Sequence, residues 1–203
     1  MEEDSDENNN RIKVILLGES GIGKTSLINV AVGMSFLKDL DSTASSTFVT
    51  KKFTKYNQQY ILNIWDTAGQ EKFRSMTKLF IKNSKIVILV YAIDNKDSFD
   101  SLPFWFSTVK EIIDTEVILA LVGNKSDLYL NETVKDADAR AYAKTIGAKF
   151  KLVSAKMNAK GFIEFLNELL EDYLQNKGIV KREESFEIKK EKLLKKKEKK
   201  KFC

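Results

Sequence analysis

Short apolar runs alternate with longer amphipathic stretches along most of the 203-residue chain. Ile12–Leu17 reads as a buried strand, and Thr25–Val32 as the helix that follows it. Asp39–Ser46 is polar and reads as a loop. Phe48–Tyr56 and Tyr60–Asp66 read as two strands of a hairpin that turns around Asn57-Gln58-Gln59. Ile86–Tyr91 and Val117–Val122 are continuous β-rich runs, the mark of central strands covered on both faces. Between them Phe99, Leu102, Trp105, Phe106 and Val109 line one face of a helix over Ser98–Ile113. The single proline, Pro103, falls in its first turns, where a missing N–H is tolerated. Another helix fits Val134–Ile146, closed by Gly147 in the C′ position. A short strand, Phe150–Val153, precedes a last helix over Ala159–Gln175 that stops near Gly178. This alternation predicts an α/β fold: a mainly parallel sheet, helices on both faces, and one antiparallel edge from the hairpin. Ligands then belong at the carboxyl ends of the strands.

The first strand and helix enclose Gly18-Glu19-Ser20-Gly21-Ile22-Gly23-Lys24-Thr25, an uninterrupted Gly-x-x-x-x-Gly-Lys-Thr. Glycines let the backbone curl until several N–H groups point at one centre, and the helix N-terminus adds its dipole. Lys24 can then reach β- and γ-phosphates and the Thr25 hydroxyl can bind Mg²⁺. The bland alternative is an ordinary glycine-rich turn.

Composition narrows the chemistry. The chain has no histidine, which removes His-based acid–base chemistry and His-ligated metals. One cysteine, Cys203, leaves no internal disulfide and fits a reducing compartment. No apolar run approaches the length of a membrane span, and the acidic, Asn-rich Met1–Asn10 is unlike a secretory leader. The net charge of +5 is unevenly spread: residues 181–203 hold 11 lysines and arginines against 5 glutamates. The body is therefore close to neutral and does not read as a nucleic-acid binder.

Three further motifs fall in order at predicted strand ends. Trp65-Asp66-Thr67-Ala68-Gly69-Gln70 offers a carboxylate for Mg²⁺, directly or through water, and the Gly69 N–H for a γ-phosphate. In Asn124-Lys125-Ser126-Asp127, one carboxylate can accept from guanine N1–H and the 2-amino group. Adenine lacks both donors and would leave Asp127 unpaired, so this residue specifies the base. Ser154-Ala155-Lys156 offers backbone N–H groups to guanine O6. Alone, Asn-Lys-x-Asp is more often a plain polar turn; behind a phosphate loop, the three motifs reinforce one another.

On these motifs the chain resembles a small GTPase of the Ras superfamily, and within it a Rab, over about Arg11–Leu174. Ile64-Trp65-Asp66-Thr67-Ala68-Gly69-Gln70-Glu71, Lys72-Phe73-Arg74-Ser75-Met76-Thr77 and Asp97-Ser98-Phe99 carry the Rab likeness. Phe48-Val49-Thr50-Lys51-Lys52 and Ile146-Gly147-Ala148-Lys149 are most similar to the early-endosomal branch. The resemblance implies a P-loop NTPase fold with a six-stranded, mainly parallel sheet over residues 11–176. An acidic disordered start (1–10) and a disordered lysine-rich tail (177–203) would flank it. It implies GTP and GDP as ligands with Mg²⁺, and a switch in vesicle-mediated, endosomal trafficking. An exchange factor, an activating protein and effectors would be its partners. Placement in the cytoplasm and on the cytoplasmic face of intracellular membranes follows.

Carried over by position, Ser20, Gly21, Ile22, Gly23, Lys24, Thr25 and Ser26 hold the phosphates, and Asn124, Lys125, Asp127, Ser154, Ala155 and Lys156 hold the base. Phe36 stands where an aromatic packs on guanine. Thr25, Thr43 and Asp66 correspond to the Mg²⁺ ligands, with Thr43 engaged when the γ-phosphate is present. Gln70 matches the glutamine that orients the attacking water, and Lys24 and Thr43 complete the catalytic set. Phe48, Trp65 and Phe80 match the aromatic triad that effectors read, although hairpin or core packing also accounts for Phe48 and Phe80. Ser20 is small enough to leave room for Gln70 and a partner's arginine. With no arginine finger evident in the chain, turnover on the order of 10⁻⁴ s⁻¹, accelerated by an activating protein, is expected.

The chain also departs from the family. Ala44-Ser45-Ser46-Thr47 replaces the usual Ile-Gly-Val-Asp, Leu79-Phe80-Ile81-Lys82 replaces Tyr-Tyr-Arg-Gly, and Tyr91-Ala92 stands where Tyr-Asp is common. A non-cycling, guanine-nucleotide-bound interaction module is the alternative this permits, and intact Thr43, Asp66 and Gln70 disfavour it. A small-molecule kinase fits Asn124–Asp127 poorly. Lys199-Lys200-Lys201-Phe202-Cys203 is similar to a polybasic, prenylated membrane anchor, with one cysteine where Rabs usually have two. A plain solvated tail is the other reading.

Overall fold

The protein is described by a computed structural model over residues 10–36, 47–67, 74–113 and 116–178. Thr43, Gly69, Gln70, Cys203, the start 1–9 and the tail 179–203 lie outside these residues. The strands are β1 (Arg11–Leu17), β2 (Thr47–Lys55), β3 (Gln58–Asp66), β4 (Ile86–Ala92), β5 (Ile118–Asn124) and β6 (Lys149–Leu152). The helices are α1 (Lys24–Ala31), α2 (Arg74–Ile81), α3 (Lys96–Asp100), α4 (Leu102–Ile112), α5 (Asp136–Thr145) and α6 (Ala159–Asn176), with a 3₁₀ segment at Ser126–Asn131.

The described strands form one six-stranded sheet in the order β2-β3-β1-β4-β5-β6. Only the β2–β3 pair is antiparallel; the other four are parallel. Alternation along β1 splits its side chains between two cores. Val14 and Leu16 join the inward faces of α1 and α6, including Leu27, Ile28, Phe165 and Leu169. Ile15 and Leu17 join Ile81, Trp105, Val109 and Ala143 from α2, α4 and α5. Every residue of β4 is buried, as a central strand covered on both faces requires. This is the expected α/β architecture with its antiparallel edge.

Four details differ from the sequence expectation. The hairpin turns at Tyr56-Asn57, both at positive φ (49° and 59°), a two-residue turn that matches strand twist better than a three-residue one around Asn57-Gln58-Gln59. Its tip is tied to α6, where Glu171 meets Lys55 at 2.7 Å and also accepts the Tyr56 hydroxyl. The single helix over Ser98–Ile113 is two, α3 and α4, meeting at Ser101. Asn95 caps α3 by accepting from the Ser98 N–H, and Pro103 occupies the first turn of α4. That ring lacks an N–H and crowds the carbonyl one turn back, so an unbroken helix is disfavoured there. Two elements, α2 and the 3₁₀ segment, were not anticipated. Gly147, at φ 68°, closes α5 as expected: Ala148 N–H donates to the Ala143 carbonyl (2.8 Å) and Gly147 N–H to that of Lys144 (3.2 Å).

Candidate functional site

The loop Gly18–Gly23 leaves the carboxyl end of β1, and its glycines are sterically required. A Cβ on Gly18, at φ 145°, would lie 2.2 Å from the Val90 carbonyl oxygen. On Gly23, at φ 89°, it would lie 2.5 Å from the Asn124 amide nitrogen. Gly23 is the N-cap of α1. No side chain caps that helix and its first turn holds no acidic residue, so its leading N–H groups face outward for an anion to accept. Ser20 and Gly21 are exposed, Thr25 and Ser26 half-buried, and Ile22 is packed in the core.

Lys24, the first residue of α1, is 5% exposed. Its ammonium donates to the carbonyls of Gly18 (2.8 Å) and Glu19 (2.7 Å). Burial pulls its pKa down to about 8, against the opposing pull of the Asp66 and Glu19 carboxylates. A cation held this dry interacts strongly with any phosphate brought to the loop. One residue on, the Thr25 hydroxyl donates to Asp66 Oδ2 at 2.7 Å, across 41 positions of sequence. Hydroxyl and carboxylate oxygens are the hard donors that Mg²⁺ takes. Among the described residues no group of three or more His, Cys, Asp and Glu could hold a metal. A two-ligand protein site suits Mg²⁺, which retains waters and substrate phosphate oxygens.

The base-side motifs meet the loop through Asn124, which is 1% exposed at the end of β5. Its amide N–H donates to the Ile22 carbonyl at 2.8 Å, and its oxygen accepts the Ala155 N–H at 3.2 Å. One buried side chain therefore spans both segments. Asp127 is half-buried and accepts the hydroxyl of Ser154, which itself accepts the Met157 N–H at 2.9 Å. Lys125 adopts a left-handed conformation (φ 60°) and lies 3.7 Å from Asp94. Ala155 is buried and Lys156 exposed. Phe36 is half-buried and packs against the core that holds α1 and α6.

Two residues of this end escaped sequence reading. The buried Thr67 hydroxyl donates to the Leu16 carbonyl at 2.6 Å, pinning the segment after Asp66 to β1. The Trp105 indole N–H donates to Glu19 Oε1 at 3.2 Å. Both partners are remote in sequence, and neither residue type announces such a bond.

The aromatic trio assembles on the other side of β3. Phe48 stacks on Trp65 with ring centroids 5.1 Å apart, and Trp65 meets Phe80 at 5.5 Å. Phe48 is 51% exposed, while Trp65 and Phe80 are half-buried. Lys13 places its ammonium 4.8 Å from the Trp65 ring. A cavity of about 600 Å³ beside Val109, Val117 and Ile146 contains none of the phosphate-loop or base-side residues. Among the described residues no helix is long and apolar enough to cross a membrane.

Known proteins resemble the chain in sequence. The Ras family model matches residues 13–175. The chain is 36% identical to Ras-related protein Rab-21 of Geodia cydonium over 165 residues, covering 81% of this chain and 72% of that protein. It is 36% identical to human Rab-21 over 170 residues (84% and 75% covered) and 33% identical to Rab-2B of Dictyostelium discoideum over 174 residues (84% and 86%). The chain belongs to the Ras family, in its Rab branch, and is a GTPase that converts GTP to GDP. It is a Rab-like GTPase of membrane trafficking; Ras-family GTPases bind GTP and GDP with Mg²⁺, and Rabs work with exchange factors, activating proteins and effectors.

Proposed function

We propose that this Rab-branch GTPase is a nucleotide-timed switch whose site is built from the phosphate loop, the Thr25–Asp66 pair and the Asn124–Asp127 and Ser154–Lys156 segments. The observation that carries the reading is Asn124, whose amide bonds to both Ile22 and Ala155. It fuses a phosphate-binding loop and a base-binding segment into one rigid end of the sheet, as a nucleoside phosphate requires.

Within that site Ser20–Ser26 receive the phosphates through backbone N–H groups, and the Lys24 ammonium neutralises charge on the transferring phosphoryl. Thr25 and Asp66, joined by Thr43, would hold Mg²⁺, which when bound would supply neutralisation of phosphate charge. Asp127, oriented by Ser154, accepts from guanine, with Lys125, Ala155 and Lys156 around the base and Phe36 against it. Gln70 orients the attacking water, and Gly69 and Thr43 report the γ-phosphate, so hydrolysis releases the loops that carry them. Phe48, Trp65 and Phe80 form the surface that effectors read. The folded body spans 11–176. Geranylgeranylation of Cys203 beside the basic tail would tether it to an endosomal membrane, since one lipid gains about 1 kcal/mol from each lysine near an anionic leaflet.

Single-turnover hydrolysis by full-length protein and its Gln70→Leu variant tests the switch. The variant is expected to bind GTP normally and hydrolyse it at least tenfold more slowly, equivalent to about 1.4 kcal/mol in the barrier. Equal rates would remove Gln70 from the mechanism. Failure of the unmodified protein to turn over loaded GTP would favour a non-cycling module.

A further inference from the structure

Trp105 lies on the core face of α4 and is 1% exposed. Packing alone would explain a ring there, but not the direction of its one polar atom. The indole N–H crosses 86 positions of sequence to reach the carboxylate of Glu19, at 3.2 Å. Glu19 is the first variable residue of the phosphate loop. Its neighbour Gly18 is wedged under Val90, and its own carbonyl receives Lys24. The carboxylate lies outside the strand and glycine constraints, and the indole N–H is one of the contacts that hold it. Asn124 holds the far end of the same loop at Ile22. Indole and amide thus grip the loop on either side of Ser20 and Gly21, the two exposed positions between them.

We infer that Trp105 is a positioning residue of the nucleotide site, holding the phosphate loop through its N–H bond to Glu19 and thereby slowing nucleotide release. The inference rests on the proposed phosphate loop as the nucleotide site. A hydrogen bond to a charged acceptor is strong, and a buried indole N–H without one is costly. Preorganised loop N–H groups need no reordering when phosphate arrives. Trp105 also carries the half-exposed Phe104 against its edge, at 5.3 Å between centroids, on a helix joined to α2 by Lys78 and Glu111.

The test is dissociation of a fluorescent GDP analogue from full-length protein with Mg²⁺, alongside melting temperature. Trp105→Phe keeps a ring and deletes the donor; Glu19→Ala deletes the acceptor without touching the core. Each is expected to speed release about tenfold. The double variant should be no faster than either single one, because both remove the same bond. Glu19→Gln, which retains an acceptor oxygen, should stay within about threefold of the unmodified protein. Unchanged release rates, or effects that multiply in the double variant, would overturn the inference. Should Trp105→Phe fail to fold, Glu19→Ala against Glu19→Gln decides alone. If the unmodified protein does not hold the analogue, or Lys24→Ala holds it equally well, the site assignment itself fails, and the inference with it.

Discussion

Trp65 and Asp66 are neighbours on β3, yet they belong to two regions built on different principles. Asp66 points into an end of the sheet where side chains from four separate segments bond to backbone or to one another: Thr25 to Asp66, Thr67 to Leu16, Asn124 to Ile22, and Ser154 to Asp127. Trp65 points to the opposite face, into a stack with Phe48 and Phe80 that solvent half covers. In the first region each residue is fixed by partners inside the protein, and exchange of one leaves a buried polar group unpaired. In the second, the rings keep an area of contact that many apolar side chains could supply. The nucleotide end therefore tolerates little change, whereas the aromatic face has room to vary.

The contrast can be broken most sharply at Gly23. A Cβ there meets the Asn124 amide at 2.5 Å and the backbone sits at φ 89°, so Gly23→Ala should displace both loop and amide. GDP affinity measured by titration is expected to fall by roughly 100-fold or more, equivalent to about 3 kcal/mol. Asn124→Ala should cost somewhat less, about 2–3 kcal/mol of unfolding free energy, because the Ile22 carbonyl and Ala155 N–H lose their partner together. Urea denaturation reads this directly, and a loss below about 0.5 kcal/mol would show that the two segments do not depend on the tie. The smallest effect belongs to the aromatic face. Phe48→Ala should cost only about 0.5–1.5 kcal/mol in the same denaturation and leave GDP affinity unchanged. A large drop in affinity would instead join the two regions into one.

Much of this was legible in the chain itself, for identifiable reasons. β4 and most of β5 are continuous apolar runs because both sheet faces are covered there, and β1 becomes one after Lys13. The glycines at 18 and 23 could be recognised because their conformation and close contacts leave no alternative residue. The hairpin turn was displaced because Tyr56 at positive φ is not a residue that signals such a turn. The break at Ser101 was hidden because Pro103 is compatible with either the start of one helix or the second turn of another. α2 was missed where Arg74-Ser75-Met76-Thr77-Lys78 interrupts the apolar pattern. Trp105 has the spacing of a core residue and is one; its bond to Glu19 depends on how α4 lies against the loop, which no local pattern encodes. Thr67 and the double role of Asn124 were invisible for the same reason.

The most direct test of the account is base selection at Asp127. Competition of GTP, ATP and XTP against a labelled nucleotide should show the unmodified protein retaining GTP over XTP by about 100-fold or more, since xanthine sets a carbonyl oxygen, in place of the 2-amino donor, against the half-buried carboxylate. Asp127→Asn should reverse that preference toward XTP while Ser154 continues to orient the side chain. A variant that still prefers GTP to the same degree would show that this end of the sheet does not read guanine through Asp127, and the nucleotide site as assigned would be contradicted.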